Sequence, residues 1–256
     1  MDVHFGCTMC GKCCHGLKLP LGVDEALAWV ERGGTVQVLC EAIPWPGEPP
    51  VDDLPAQHKR RRSFEAASGE LPIRVIAILV AAFDGACPNL QPDMRCGIYE
   101  ERPVVCRIYP AEINPFVTLM PERKACPPEA WADEQPVLVS EHRVVDAETF
   151  SLIQQSRAMD VRDADIKRRL CTYLGIAETA LSNEGFVIHS PAADLMASAL
   201  RQALHGGGED AEGTAWTFIS NRGETFDTLS SVGAFGRPAP EPGIPGFEYL
   251  GFFPAS

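Results

Sequence analysis

The sequence predicts an α+β protein: a small, irregular, cysteine-rich module over residues 1–140, followed by a mainly helical region over residues 141–256 with a proline-rich tail. Three observations lead there. Nine of the ten cysteines precede residue 130. The same stretch holds one long β-branched run between proline-rich segments, too little regular strand for a continuous sheet. Beyond residue 141 the apolar residues recur at helical spacing.

In chain order, the module opens on the loop "CTMCGKCC" (7–14). "DEALAWVERGG" (24–34) has the spacing of a short amphipathic helix, stopped by Gly33 and Gly34. "AIPWPGEPPVDDLP" (42–55) predicts a loop or extended segment, and the basic run "HKRRR" (58–62), close to Asp52 and Asp53, a solvated loop or helix face. "IRVIAILVAAFDGACPNL" (73–90) predicts a strand entering a tight turn that delivers Cys87. "MRCGIYEERPVVCRIYP" (94–110) predicts a second short strand, a bend at Arg102-Pro103 and a helical turn bearing Cys106. Residues 146–176 predict one or two helices, and 190–208 another with Pro191 near its first turn and a glycine stop. A glycine- and acid-rich break at 206–213 precedes the tail "RPAPEPGIPGFEYLGFFP" (237–254), whose prolines argue against regular structure.

Bulk properties narrow the function. The 256 residues, 45% hydrophobic, are enough for one substantial domain or two small ones. Net charge is −13, and the acid excess is shared: 13 Lys/Arg against 19 Asp/Glu up to residue 140, and 9 against 16 after it. No basic half exists to grip phosphate, so no nucleic acid partner is expected. The most apolar segment, "IAILVAAF" (76–83), is too short to cross a bilayer, and "MDVHFGC" is not the start of a secretory signal. A cytoplasmic protein without a membrane partner is expected. In a reducing compartment ten cysteines point to metal binding or thiol chemistry rather than to a disulfide framework.

The thiol spacing is Cys7-x2-Cys10-x2-Cys13-Cys14, then Cys87-x8-Cys96-x9-Cys106-x19-Cys126. Tandem C-x2-C units present three thiolates from one tight loop, the usual grip on three corners of a cubane iron–sulfur cluster whose fourth ligand comes from afar. Structural zinc more often takes two ligands from each of two separated knuckles. Cys7, Cys10 and Cys13 with one of Cys87, Cys96 or Cys106 therefore form the expected ligand set, and a [4Fe–4S] cluster is favoured over zinc. Neighbouring side chains diverge, so one of Cys13 and Cys14 looks to a second site or stands as a reactive thiol. The eight cysteines suit two four-thiolate centres, or one centre with a satellite group. Cys40 and Cys171 stand alone and read as buried small hydrophobes. Arg102 and Arg107 are candidates to hydrogen-bond the crowded sulfurs and offset their repulsion, unless they form ordinary surface ion pairs. His15 is a turn residue or a ligand. No nucleotide loop, nucleophile elbow or H-E-x-x-H motif occurs.

"CTMCGKCC", then "CPNL", then "CGIYEERPVVCRIYP" resembles the CxxCxxCC (YkgJ-type) family of zinc- or iron-chelating cysteine-cluster proteins, over residues 7 to about 126. Cys96, Tyr99, Arg102, Pro103, Cys106, Arg107 and Pro110 carry the second half of the pattern. The resemblance implies a metal-binding protein. Through its relation to the flagellin lysine methylases it also implies, as an alternative, an enzyme acting on a protein lysine, hence a protein partner or protein substrate. A redox or metal sensor is the remaining alternative, with the Cys13-Cys14 pair reporting redox state.

Overall fold

The computed structural model describes residues 2–206, 215–241 and 246–254. In chain order the elements are β1 (Val3–His4), β2 (Lys18–Leu21), α1 (Val23–Glu31), β3 (Val36–Pro44), α2 (Leu54–Arg61), β4 (Phe64–Ser68), β5 (Leu71–Ala82) and α3 (Val104–Ile108). There follow β6 (Val137–Ser140), β7 (Arg143–Val144), α4 (Ala147–Leu174), β8 (Glu178–Leu181), β9 (Gly185–His189) and α5 (Ala193–His205). The last are β10 (Thr217–Ser220), α6 (Gly223–Ser231), β11 (Gly236–Pro238) and β12 (Phe247–Gly251). The α+β class holds.

Two compact units divide the chain, and the division does not fall at residue 140. One unit is Met1–Leu21 with Ala81–Met159; the other is Gly22–Val80 with Asp160–Ser256. Each is built from two separated stretches, with β5 and α4 crossing the boundaries. The 73–90 expectation holds for β5, which ends before the turn at Gly85 (φ +74°).

The first unit carries all eight clustered cysteines. β1 pairs antiparallel with β6, and β6 with β7. Its core joins Val104 and Ile108 of α3 to Leu138 and Val139 of β6 and Leu152 and Ile153 of α4. A five-residue helix such as α3 is too short to hold alone. Burying its two aliphatic side chains fixes it, contributing about 1.5–3 kcal/mol each.

The second unit is organised on a sheet in the order β11-β10-β8-β3-β5. β8 lies parallel to both β3 and β10, β11 parallel to β10, while β9 runs antiparallel to β3 and β12 pairs with β9. β4 and β5 form a hairpin. The C-terminal region is mainly helical through α4, α5 and α6, but it also contributes strands to this sheet, and the proline-rich tail supplies two of them. The prolines are placed at strand ends, where no ladder amide is required of them: Pro238 closes β11 and Pro44 closes β3. Of the glycine- and acid-rich break only Gly206 lies within the described residues.

Helices cover this sheet as their apolar spacing requires. α1 buries Val23, Ala26, Trp29 and Val30, and α5, packed on α1, buries Met196, Ala199, Leu200 and Ala203. At the end of α1 the Gly33 amide donates to Val30 O and the Gly34 amide to Trp29 O, with Gly33 at φ +85°. Its start is held by Asp163, whose buried carboxylate accepts from the Val23 amide at 2.8 Å. A second buried carboxylate, Glu184 after β8, accepts from Ser220 Oγ at 2.7 Å and Thr225 Oγ1 at 2.6 Å, tying the β8–β9 turn to β10 and α6.

Candidate metal centre

"CTMCGKCC" folds as a loop because two of its residues take left-handed backbone, Met9 (φ +52°) and Gly11 (φ +67°), before a single 3-10 turn over Lys12–Cys14. The Cys14 amide donates to Gly11 O at 2.9 Å, and His15 Nδ1–H donates to the same oxygen at 3.1 Å. His15 is thus a turn residue here. Gly11 is buried against the loop around Met94. A Cβ there would sit 2.9 Å from the Met94 carbonyl oxygen, so the close approach and the positive φ both demand glycine.

The second cysteine loop is joined to the first by backbone. The Cys87 amide donates to Cys14 O at 2.7 Å and the Gly16 amide to Gly85 O at 2.7 Å, with His15 bridged to Ala86. The loop then closes on itself: Leu90 bridges Cys96, the Gln91 amide donates to Arg95 O, and the Gly97 amide to Asn89 O. The short strand expected within 94–110, before the Arg102-Pro103 bend, appears only as that single bridge, because the tight Gln91–Met94 turn leaves no length for a ladder. α3 adds Cys106, as the sequence predicts.

The sulfurs form one connected group in which two sets share electrostatic influence, joined by Cys13 and Cys14. In the first, every pair among Cys14, Cys87, Cys96 and Cys106 is within electrostatic reach. Burial pushes the Cys106 thiol up to about 12; charge on Cys14, Cys87 and Cys96 adds to this, and Arg102 opposes it. Burial also raises Cys87, opposed by hydrogen bonds to its sulfur from the Asn89 and Leu90 amides and the Asn89 side chain. Burial raises Cys14 likewise.

The second set holds Cys7, Cys10, Cys13 and Cys126. The Gly6 amide donates to Ala130 O at 2.9 Å, which brings Cys7 beside the 126–131 stretch. Tyr109 Oη accepts from the Ala125 amide at 3.0 Å and donates to the Cys126 sulfur. Burial pushes the Tyr109 phenol up to about 12. Burial takes the Cys13 thiol to about 12 as well, with charge on Cys14, Cys126 and Cys7 adding. The Cys13 and Cys14 sulfurs lie 4.0 Å apart, and Cys7 is felt from both sets.

Among the described residues no group of three His, Cys, Asp or Glu side chains is close enough to hold a metal ion. The fold gathers the thiols without closing them on one point. The donor set fits a thiophilic metal: eight sulfurs, the amide donors around Cys87, and a guanidinium with unused capacity. Arg102 lies 3.8 Å over the Tyr99 ring, and its buried Nε has no hydrogen-bond partner. Arg107 behaves differently. It pairs with Glu148 of α4 at 3.2 Å in an exposed position, so the two arginines grouped by the sequence separate into one at the thiols and one at the surface.

Spacing alone points to Cys87, Cys96 or Cys106 as the partner of Cys7, Cys10 and Cys13; Cys126 also feels the charge of Cys7 and Cys10. Cys14 sits with Cys87, Cys96 and Cys106. From the sequence, Tyr99 and Tyr109 are shields of the site and nothing is assigned to Gly11 or Asn89; the glycine inside a C-x2-C unit is the available signal. In the second unit Cys40 and Cys171 are buried and hydrogen-bonded to each other, which accounts for both. That unit also has a cavity of about 510 Å³ lined in part by His189, Arg237 and Phe247. Arg237 there pairs with Glu178 at 2.7 Å.

Among the described residues no helix is long and apolar enough to cross a membrane; the long α4 is polar. No curated protein and no solved structure matches this chain. One family model does, over residues 6–127, with the description "Putative zinc- or iron-chelating domain". That stretch begins one residue before Cys7 and ends one after Cys126, enclosing both sets. Metal binding is the chemistry that the match and the sulfur-rich donor set support in common, and residues 6–127 are the part of the chain similar to the CxxCxxCC domain.

Proposed function

We propose that the protein is a thiolate metal-binding protein whose principal centre is an iron–sulfur cluster, [4Fe–4S], held by Cys14, Cys87, Cys96 and Cys106. The observation that carries this reading is the 2.7 Å Cys87–Cys14 backbone bond that joins the two cysteine loops, with Cys106 under the electrostatic influence of Cys14, Cys87 and Cys96. Four thiolates repel, and the chain meets that repulsion with directed donors: the Asn89 and Leu90 amides at Cys87 and the Arg102 guanidinium beside Cys106. Amide donors at a cluster sulfur favour the iron–sulfur form because they offset the charge of a redox centre. When bound, such a cluster supplies one-electron chemistry or a Lewis-acidic iron. The residues of the chain hold the thiolates and offset their charge through the amide donors at Cys87 and Arg102.

The test is metal and acid-labile sulfide content of the full chain prepared without oxygen. Iron with equimolar sulfide and a brown colour supports the cluster. Zinc without sulfide replaces it with a structural zinc site, and absence of both metals removes metal binding altogether.

A further inference from the structure

We propose that the cavity of about 510 Å³ in the second unit is a binding site for a neutral, planar nitrogen heterocycle with a cyclic amide edge, a purine- or pyrimidine-like base. The site shares no residue with the clustered thiols and does not depend on any metal they hold.

Three titratable side chains line the cavity: Glu178 at the start of β8, His189 at the end of β9 and Arg237 of β11. Phe247, the first residue of β12, fixes two of them, with the Arg237 guanidinium 5.1 Å over its ring and the His189 ring centred 5.8 Å away. His189 is only 6% exposed. A carbonyl can only accept, so His189 Nε2–H donates to Glu178 O at 3.0 Å. That tautomer leaves Nδ1 as an acceptor on a ring that lines the cavity. Burial holds the imidazole below its ordinary value, which keeps it neutral.

Charge selects the ligand class. Arg237 is compensated by Glu178 at 2.7 Å and His189 is neutral, so these three groups offer no net charge to an ion. The helix ends balance likewise, because the carbonyl end of α4 at Leu174 and the amide end of α5 near Leu195 both border the cavity. Hydrogen-bonding capacity remains, since a guanidinium carries more N–H donors than one carboxylate occupies. A ring with adjacent N–H and carbonyl groups meets the acceptor of His189 and the donor of Arg237 without bringing a charge. The rest of the lining is apolar and suits a flat body: Ile176, Pro238 and Pro240 contribute, and Leu195, 48% exposed, leaves apolar surface for a ligand to cover. The volume lies in the range of small-molecule sites, about 300–1,000 Å³.

The experiment is calorimetric titration of the full-length chain with hypoxanthine, and with benzoate as a flat anion. Wild type should bind hypoxanthine at a single site and benzoate at least about tenfold more weakly. His189→Gln keeps a donor for the Glu178 carbonyl but removes the Nδ1 acceptor, and hypoxanthine affinity should fall about three- to tenfold. Glu178→Gln leaves the Arg237 cation without its carboxylate and should reverse the preference, with benzoate bound more tightly than hypoxanthine. The Glu178 side chain is 25% exposed, so this variant carries the test should His189→Gln fold poorly, with far-UV circular dichroism as the check. Failure of wild type to bind hypoxanthine, equal binding of benzoate, unchanged affinity in His189→Gln or unchanged preference in Glu178→Gln each overturns the proposal.

Discussion

The amide of Cys87 donates a 2.7 Å hydrogen bond to the carbonyl of Cys14, residues 73 positions apart in the chain and central to the same group of thiols. It clamps the two cysteine loops together, and Gly11 lets them approach by lying against Met94 without a side chain. Gly11→Ala should therefore damage metal binding. The left-handed backbone alone costs about 1–2 kcal/mol with a Cβ, and contact with the Met94 carbonyl adds to it. The expected result is Cd²⁺ affinity reduced about tenfold or more, with all thiols still present by Ellman titration.

Arg102 and Arg107 should separate in experiment as they do in space. Arg102→Ala removes the guanidinium whose charge acts on Cys106 and should weaken metal retention about 10- to 100-fold. Arg102→Lys should restore only part, since a point charge does not reproduce the planar donor. Arg107→Ala breaks an exposed pair with Glu148 and should change stability by no more than about 0.5 kcal/mol. Competition with a chelator and denaturant midpoints measure the two effects.

The buried thiols predict opposite pH responses with and without metal. In the metal-free fold Cys13 and Cys106 are raised from 9.0 to about 12. Between those values the unfolded chain has lost protons that the folded one keeps. Their contribution to stability is thus complete below about pH 9 and lost as pH rises through about 12. Metal binding must displace these protons, so affinity should rise with pH and binding should release close to one proton per thiol. Denaturant midpoints of the metal-free protein across pH 8–11, and calorimetry in buffers of different ionisation enthalpy, read the two signs.

The second unit should be indifferent to metal. Asp163→Ala leaves the Val23 amide unsatisfied and opens a gap at the start of α1, at a cost of about 2–4 kcal/mol. The same loss should appear with and without metal, with Cd²⁺ stoichiometry unchanged.

Much of the local structure was legible in the sequence. β5 announced itself by its β-branched run, and α1 and α5 by apolar spacing with glycine stops. The site was legible as a set of eight thiols. Which of them lie together was not, because spacing along the chain says nothing of which distant loop a side chain meets. The start of the chain meets the segment after Cys126 through the β1–β6 pairing, a contact between residues 3–4 and 137–139. The C-terminal sheet was hidden for a related reason. β8 and β10 have four residues each, too short for a period to declare itself, and their neighbour β3 lies some 140 positions away from β8. A boundary at 140 could be drawn from the cysteines, but each unit is assembled from two separated stretches, and a change of composition along the chain does not reveal that.

The most direct test of the central claim is iron, zinc and acid-labile sulfide per chain in wild type and Cys106→Ser, both prepared without oxygen. The account predicts iron and sulfide in equal amounts in wild type, about four of each, and their loss in the variant. Wild-type protein that carries neither iron nor zinc, or a variant that keeps its iron and sulfide intact, would contradict it.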